Sequence, residues 1–328
     1  MHLIKIILFF SAIGLISCGA SEKNENQNSQ NVAKENIVIV YGQSNAVGLA
    51  DFINDEDSFS LTSLMYVKCS NDGEIDKNND CGFLTQIKNP TDIYNDGKWS
   101  SWISFAQKWE EFGRKLILIN AAVSGTTLDE LLMNRSTNYN GTTKRFENIP
   151  WAIKKIIDNK DIKTEEKISL IWIQGESDSA KHIYEGKKSK FVLEEFHKYF
   201  EDLKRLRKNL ISESGIDNLD FYIVRIGNAE GEPSLVLSTE IMNDLGYWQI
   251  KFACEQEGFY PLSILPKEFS ISNSKLHDGI HYSKDAYDQL GKEIAVNLDL
   301  YLSGIDVSNF ICNENELYPP QIVSQKPF

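Results

Sequence analysis

Five short apolar runs recur along the chain: 37–41 (IVIVY), 116–120 (LILIN), 168–173 (ISLIWI), 221–226 (FYIVRI) and 262–265 (LSIL). Their apolarity is continuous rather than alternating, the pattern of strands buried on both faces of a parallel sheet. Between them hydrophobic residues return at helical spacing over 102–112, 151–158, 189–210, 237–257 and 283–302. In the longest stretch Val192, Phe196, Tyr199, Phe200, Leu203, Leu206 and Leu210 form one stripe, which predicts a helix packed against a core. Strands alternating with helices predict an α/β fold, a three-layer α/β/α sandwich around a mainly parallel five-stranded sheet.

An apolar run of another kind, 6–16, follows a single Lys and ends at Leu15-Ile16-Ser17-Cys18. It is short for a bilayer span and reads as a signal peptide. The Leu-x-x-Cys ending resembles the lipobox of bacterial lipoproteins. That resemblance implies that residues 1–17 are removed, that Cys18 is lipidated, and that the exported protein is anchored to the cell envelope, facing the periplasm or the outside. Residues 18–35 are polar, without an aromatic, and read as a flexible tether. The folded domain then spans 36–304. The segment 305–328, with Pro319 and Pro320 adjacent and little periodicity, reads as a tail packed on the domain and pinned by Cys312.

Charge narrows the partners. The chain carries 34 Lys+Arg against 47 Asp+Glu, a net of −13, with the acids scattered, which excludes a nucleic-acid partner. Once Cys18 is set aside the cysteines are Cys69, Cys81, Cys254 and Cys312, an even set suited to an oxidising compartment. Of the three ways to pair them, Cys69 with Cys81 and Cys254 with Cys312 is the most economical, because the first pair brackets the polar loop 70–80. No C-x-x-C pair is present, and that loop lacks the spacing of an EF-hand, so no metal is expected.

Ligands of open α/β sheets bind beyond the carboxyl ends of the strands. Gly42-Gln43-Ser44-Asn45 follows the first run, Ser124-Gly125 the second, and Gln174-Gly175-Glu176-Ser177-Asp178 the third. Ser44 alone reads as a helix cap before it reads as a nucleophile. The segment LHDGIHYSKDAYDQLG changes the balance by placing Asp278 three residues before His281. Acyl transfer by serine needs a base for the hydroxyl proton and an acid to orient that base. His182 lies in a charged stretch and His197 in a helix. His277 and His281 have the spacing of a helical zinc site, but Gly279 interrupts them and no third ligand is evident. A loop whose histidines bond only backbone is the remaining alternative.

Together GQSNAVG, NAAVSGTTL, WIQGESD and DGIH resemble, in order and spacing, the motifs of the SGNH hydrolases, and more narrowly the branch of sialate O-acetylesterases and acetylxylan esterases. The resemblance covers roughly 36–302 and implies a flavodoxin-like sandwich without metal or cofactor. It also implies a serine carbohydrate esterase that removes O-acetyl groups from an acetylated sugar or polysaccharide through an acyl-enzyme, with a monomer as the expected state. Residue by residue, Ser44 matches the nucleophile, His281 the general base and Asp278 the residue that fixes its tautomer. The oxyanion donors would be the backbone N–H groups of Ser44 and Gly125 and the Gln174 side chain. Gln43, Asn45, Glu176 and Asp178 would support these loops. Ala46 stands where the branch has Met, and Ser124-Gly125 where it has paired glycines. Arg225 is expected in an ion pair, with Glu176 as one partner, or at the substrate; Gln249 is a second polar candidate. Trp102, Trp109 and Trp151 read as core, and Trp99 as a residue that could stack on a sugar. The rival readings are an SGNH lipase or thioesterase for longer acyl chains and a non-catalytic glycan-binding lipoprotein.

Overall fold

The five apolar runs form strands, and two shorter ones join them. A computed structural model describes residues 35–50, 61–66, 84–87, 98–132, 148–158, 164–184, 189–231, 233–321 and 323–328. The leader, Cys18, the tether to residue 34 and the Cys69–Cys81 pair lie outside the described residues. The strands are β1 (Glu35–Gly42), β2 (Leu64–Tyr66), β3 (Leu84–Gln86), β4 (Lys115–Asn120), β5 (Thr164–Ile173), β6 (Leu219–Val224) and β7 (Phe259–Ser263). They make one seven-stranded sheet in the order β3-β2-β4-β1-β5-β6-β7. Every pairing is parallel except β2 with β3. The expected five-stranded sheet is therefore extended at one edge by three-residue strands too short to carry a periodic signal.

The helices are α1 (Ser44–Val47), α2 (Ser101–Glu111), α3 (Leu128–Leu132), α4 (Asn148–Ile157), α5 (Glu176–Tyr184), α6 (Ser189–Ser214), α7 (Pro233–Glu255), α8 (Lys284–Leu302) and α9 (Ser308–Asn315), with a 3-10 turn at Leu265–Glu268. Alternate residues of β1 enter two different cores. Ile37, Ile39 and Tyr41 pack with α4, α6 and α7, whereas Val38 and Val40 pack with α2 and α8. Burial on both faces is why the strands read as unbroken apolar runs. The α6 stripe is buried along its whole length, and Trp102 and Trp109 are core residues. Among the described residues no helix is long and apolar enough to cross a membrane.

The tail differs from the expectation of an irregular segment. Within it α9 buries Ile311 and Asn315, and Cys312 is disulfide-bonded to Cys254 of α7. A helix this short draws its stability from tertiary contacts, which periodicity does not reveal. Beyond it Phe328 packs edge-on against Phe200, Trp248 and Phe252.

Candidate active site

β1 lies between β4 and β5, so the segments that leave these three strands emerge side by side. At the end of β1 the chain turns sharply. Gly42 has φ of +143°, and a Cβ there would stand 1.9 Å from the Ile173 carbonyl oxygen. Glycine is the residue that accepts both constraints. Gln43 N–H donates to that same carbonyl at 3.1 Å, and Ser44 opens α1 with only 5 % of its surface exposed. From below, the indole Nε1 of Trp102 donates to the Ala46 carbonyl at 2.5 Å. Across the β4 side, Val123 N–H donates to Gly42 O at 2.9 Å, which holds the turn bearing Gly125 (φ +70°) beside the Ser44 turn.

The loop before α8 brings the second half. Asp278 Oδ1 accepts from the backbone N–H groups of Ile280 (3.1 Å) and His281 (2.8 Å), a side-chain-to-backbone turn typical of Asp. Its Oδ2 lies 2.6 Å from His281 Nδ1. Partial burial works to raise the Asp278 pKa, but the bonds from the His281 ring and from the two N–H groups outweigh it, and the carboxyl is held down at about 2. Gly279 (φ +89°) is locked against the loop after β6, where Glu230 N–H donates to Gly279 O at 2.8 Å. His277 stacks on His281, its ring centroid 6.0 Å away, with Nε2 3.8 Å from Asp278 Oδ2. Ser283 then caps α8 by accepting from Ala286 N–H.

Asn45 joins the halves. Its Nδ2 donates to Glu176 Oε1 at 2.8 Å and to the Ile280 carbonyl at 3.3 Å, and its Oδ1 accepts from the Tyr287 hydroxyl at 3.0 Å. The residue after Ser44 is thus tied to the residue before His281. Burial raises the Glu176 pKa against the opposing Asn45 bond and the nearby His281, and Glu176 Oε2 is buried without a partner. Tyr287 was not legible as a site residue. Its signal is its place one turn into α8, on the helix face that also buries Ala286 and Leu290.

Three expectations are corrected. Gln174, expected to face the oxyanion, directs its Nε2 to the Thr126 carbonyl (3.1 Å), to Gln43 Oε1 (3.4 Å) and to Asp178. An amide nitrogen carries two hydrogens, so these acceptors already occupy it. Arg225 forms no ion pair with Glu176; it donates to Asn315 Oδ1 (2.9 Å) and the Asn243 carbonyl (3.2 Å). Gln249 is a brace at the ends of β5 and β6, donating to Gln174 O (2.6 Å) and the Tyr199 hydroxyl (3.0 Å) and accepting from Ile226 N–H (3.2 Å). Gln43 Oε1 accepts from Ser177 N–H at 2.9 Å, and Asp178 Oδ2 from Leu128 N–H at 3.0 Å. Trp99 is only 6 % exposed, its Nε1 donating to Asp288 at 2.7 Å and its face covered by Lys284 Nζ at 3.9 Å, so no ring face is left for a sugar. His197 lies apart from the site, with Nδ1 2.8 Å from the Pro327 carbonyl.

Residues 34–299 match the family described as "Carbohydrate esterase, sialic acid-specific acetylesterase". The chain belongs to this carbohydrate esterase family. The carbohydrate esterase is accordingly a hydrolase of carboxylic esters with an SGNH-type fold. Among solved structures, a protein of Arabidopsis thaliana is 18 % identical with a TM-score of 0.52, over 83 % of this chain and 99 % of that one. A carbohydrate acetylesterase from Sinorhizobium meliloti is 11 % identical with a TM-score of 0.46, over 82 % and 100 %. An acetylxylan esterase from Geobacillus stearothermophilus is 11 % identical with a TM-score of 0.43, over 81 % and 95 %. At these identities the likeness to the first extends to the fold and no further. No curated protein sequence matches the chain.

Proposed function

We propose that this esterase removes O-acetyl groups from an acetylated sugar or polysaccharide through an acyl-enzyme on Ser44. The observation that carries the reading is the Asp278–His281 pair, joined at 2.6 Å and tied through Ile280 and Asn45 to the turn that holds Ser44. Asp278 takes the His281 Nδ1 proton as a hydrogen bond and so leaves Nε2 as the basic nitrogen. That nitrogen accepts the Ser44 hydroxyl proton as Oγ attacks the acetyl carbonyl, and returns it to the departing sugar oxygen. Water then repeats the sequence on the acyl-enzyme and releases acetate.

Negative charge builds on the carbonyl oxygen in both halves. The backbone N–H groups of Ser44 and Gly125 are the donors for it, and each such donor is worth about 2.7–4 kcal/mol in the transition state. Because Gln174 is already bonded, its part is to hold Gln43, Thr126 and Asp178 in place. Glu176 serves the site through Asn45. The leader and the Leu-x-x-Cys sequence support export and lipidation at Cys18.

The test is acetate release from a panel of acetylated glycans, with acetyl and octanoyl esters of one alcohol alongside. Wild type is expected to release acetate and to prefer the acetyl ester, while Ser44→Ala, which removes only one oxygen atom, is expected to fold normally and release none. Turnover retained in Ser44→Ala would remove the serine from the mechanism, and a preference for octanoyl would replace the substrate class.

A further inference from the structure

A cavity of about 430 Å³ lies between the end of β6, α7, the 3-10 turn and the C-terminal segment, with Arg225, Asn228, Asn243, Lys267, Tyr318 and Gln321 in its wall. Its volume falls in the range of small-molecule sites. The outer wall is firmly held. The Cys254–Cys312 disulfide fixes α9 just before it. Beyond it Asp244 accepts from the backbone N–H groups of Gln321 (2.7 Å) and Val323 (2.6 Å), and Trp248 Nε1 donates to Val323 O at 3.1 Å.

The chemistry of the wall is cationic. Arg225 is 2 % exposed and the Lys267 side chain 5 %. Among the described residues neither has a carboxylate at hydrogen-bonding distance. The guanidinium gives two of its five N–H groups to Asn315 Oδ1 and the Asn243 carbonyl. The ammonium of Lys267 sits 3.2 Å over the Tyr318 ring, with Glu268 Oε1 at 3.8 Å on a side chain that is 61 % exposed. Asp244 acts on Arg225 across space, but it holds the tail's N–H groups. Burial lowers the Arg225 pKa to about 10 against the opposing pull of Tyr318 and Asp244. A buried cation so placed is stabilised by an incoming oxyanion, and guanidinium geometry suits a carboxylate. The side-chain amides of Asn243 and Gln321 in the wall add hydrogen-bonding groups for the hydroxyls of a sugar ring, while Asn228 Nδ2 is already donated to the Lys267 and Phe269 carbonyls.

We propose that this cavity binds a sugar acid, with its carboxylate seated between Arg225 and Lys267. The site is separate from Ser44 and does not depend on the esterase reading. It is nevertheless a neighbour of the His281 loop, because the segment that carries Arg225 and Asn228 continues to Glu230, which bonds Gly279.

Calorimetric titration of the full chain with glucuronate, glucose and inorganic phosphate tests the assignment in wild type and in Lys267→Met, which keeps the stem against Tyr318. Glucuronate is expected to bind with Kd of about 1 mM, at least tenfold tighter than glucose or phosphate. In Lys267→Met, its affinity is expected to fall at least tenfold. Binding of glucose equal to glucuronate, or no binding of glucuronate at about 50 mM, overturns the proposal. Phosphate equal to glucuronate overturns the sugar assignment, and unchanged glucuronate affinity in Lys267→Met overturns the location. The wild-type arms decide the matter even if the variant fails to fold.

Discussion

Replacing Asn45 with alanine severs the link between the two halves of the site. Asn45 is 1 % exposed, and its amide serves Glu176 Oε1, the Ile280 carbonyl and the Tyr287 hydroxyl. Without it the Glu176 carboxyl, whose Oε2 is already unpartnered, loses its side-chain donor and is left with its own backbone N–H. Tyr287 loses its acceptor and keeps backbone donors alone, Leu49 N–H at 3.2 Å among them. Stranding a buried polar group costs about 1–3 kcal/mol, so the two together predict a loss of about 2–6 kcal/mol. Against a typical total of about 5–15 kcal/mol that loss is easily measured. Urea unfolding of wild type, Asn45→Ala, Tyr287→Phe and the double variant gives the coupling directly. Removing the Tyr287 hydroxyl should cost about 1 kcal/mol less once Asn45 is gone. Turnover, assayed in the cold where all four proteins are folded, should fall about 100-fold in Asn45→Ala, since an ångström of drift in a base has that consequence. A stability loss below about 1 kcal/mol with unchanged turnover would refute the claim that Asn45 holds the serine turn to the histidine loop.

Asp278→Asn should lower turnover by up to about 10⁴-fold, the scale known for the equivalent change in serine proteases, read as kcat on an acetyl ester. With its pKa at about 2, below the ordinary carboxylate value of about 3.9, Asp278 stabilises the fold at higher pH. That contribution is lost as pH falls from about 4 to about 2; Asp278→Asn should flatten acid unfolding in that window. Glu176 has the opposite sign. Burial raises its pKa, so its protonated form suits the fold and stability falls as pH rises through the shifted value. Glu176→Gln, which still accepts from Asn45, should gain melting temperature relative to wild type as pH increases, and a constant difference across pH would contradict this. Breaking the Cys254–Cys312 bond, whose cysteines are 58 residues apart, should cost about 4 kcal/mol in the chain-entropy picture, measured by urea unfolding of Cys312→Ser.

The strands were readable because five of them are apolar on both faces, and a run such as IVIVY has no other comfortable place. β2 and β3, at three residues each, carry no such signature. α5 begins inside the WIQGESD segment at Glu176, where polar residues masked the helix, and α9 depends on a disulfide and on Ile311 finding the core. At the site, the three-residue spacing of Asp278 and His281 was visible because one Asx-type turn forms the pair locally. The bonds of Gln174, the brace formed by Gln249 and the role of Tyr287 were not, since each depends on a partner distant in sequence: Thr126 for Gln174, Gln174 for Gln249 and Asn45 for Tyr287.

The central position of β1 bears on the order in which a growing chain becomes an enzyme. The first strand to be made has both neighbours, β4 and β5, still unmade, and Ser44 waits at its end for a loop more than 230 residues later. At about 5–20 residues per second of synthesis, that wait lasts roughly 10–50 seconds. During it the Ser44 turn lacks the His281 loop, and on the mechanism proposed above nascent chains released before that loop would release no acetate.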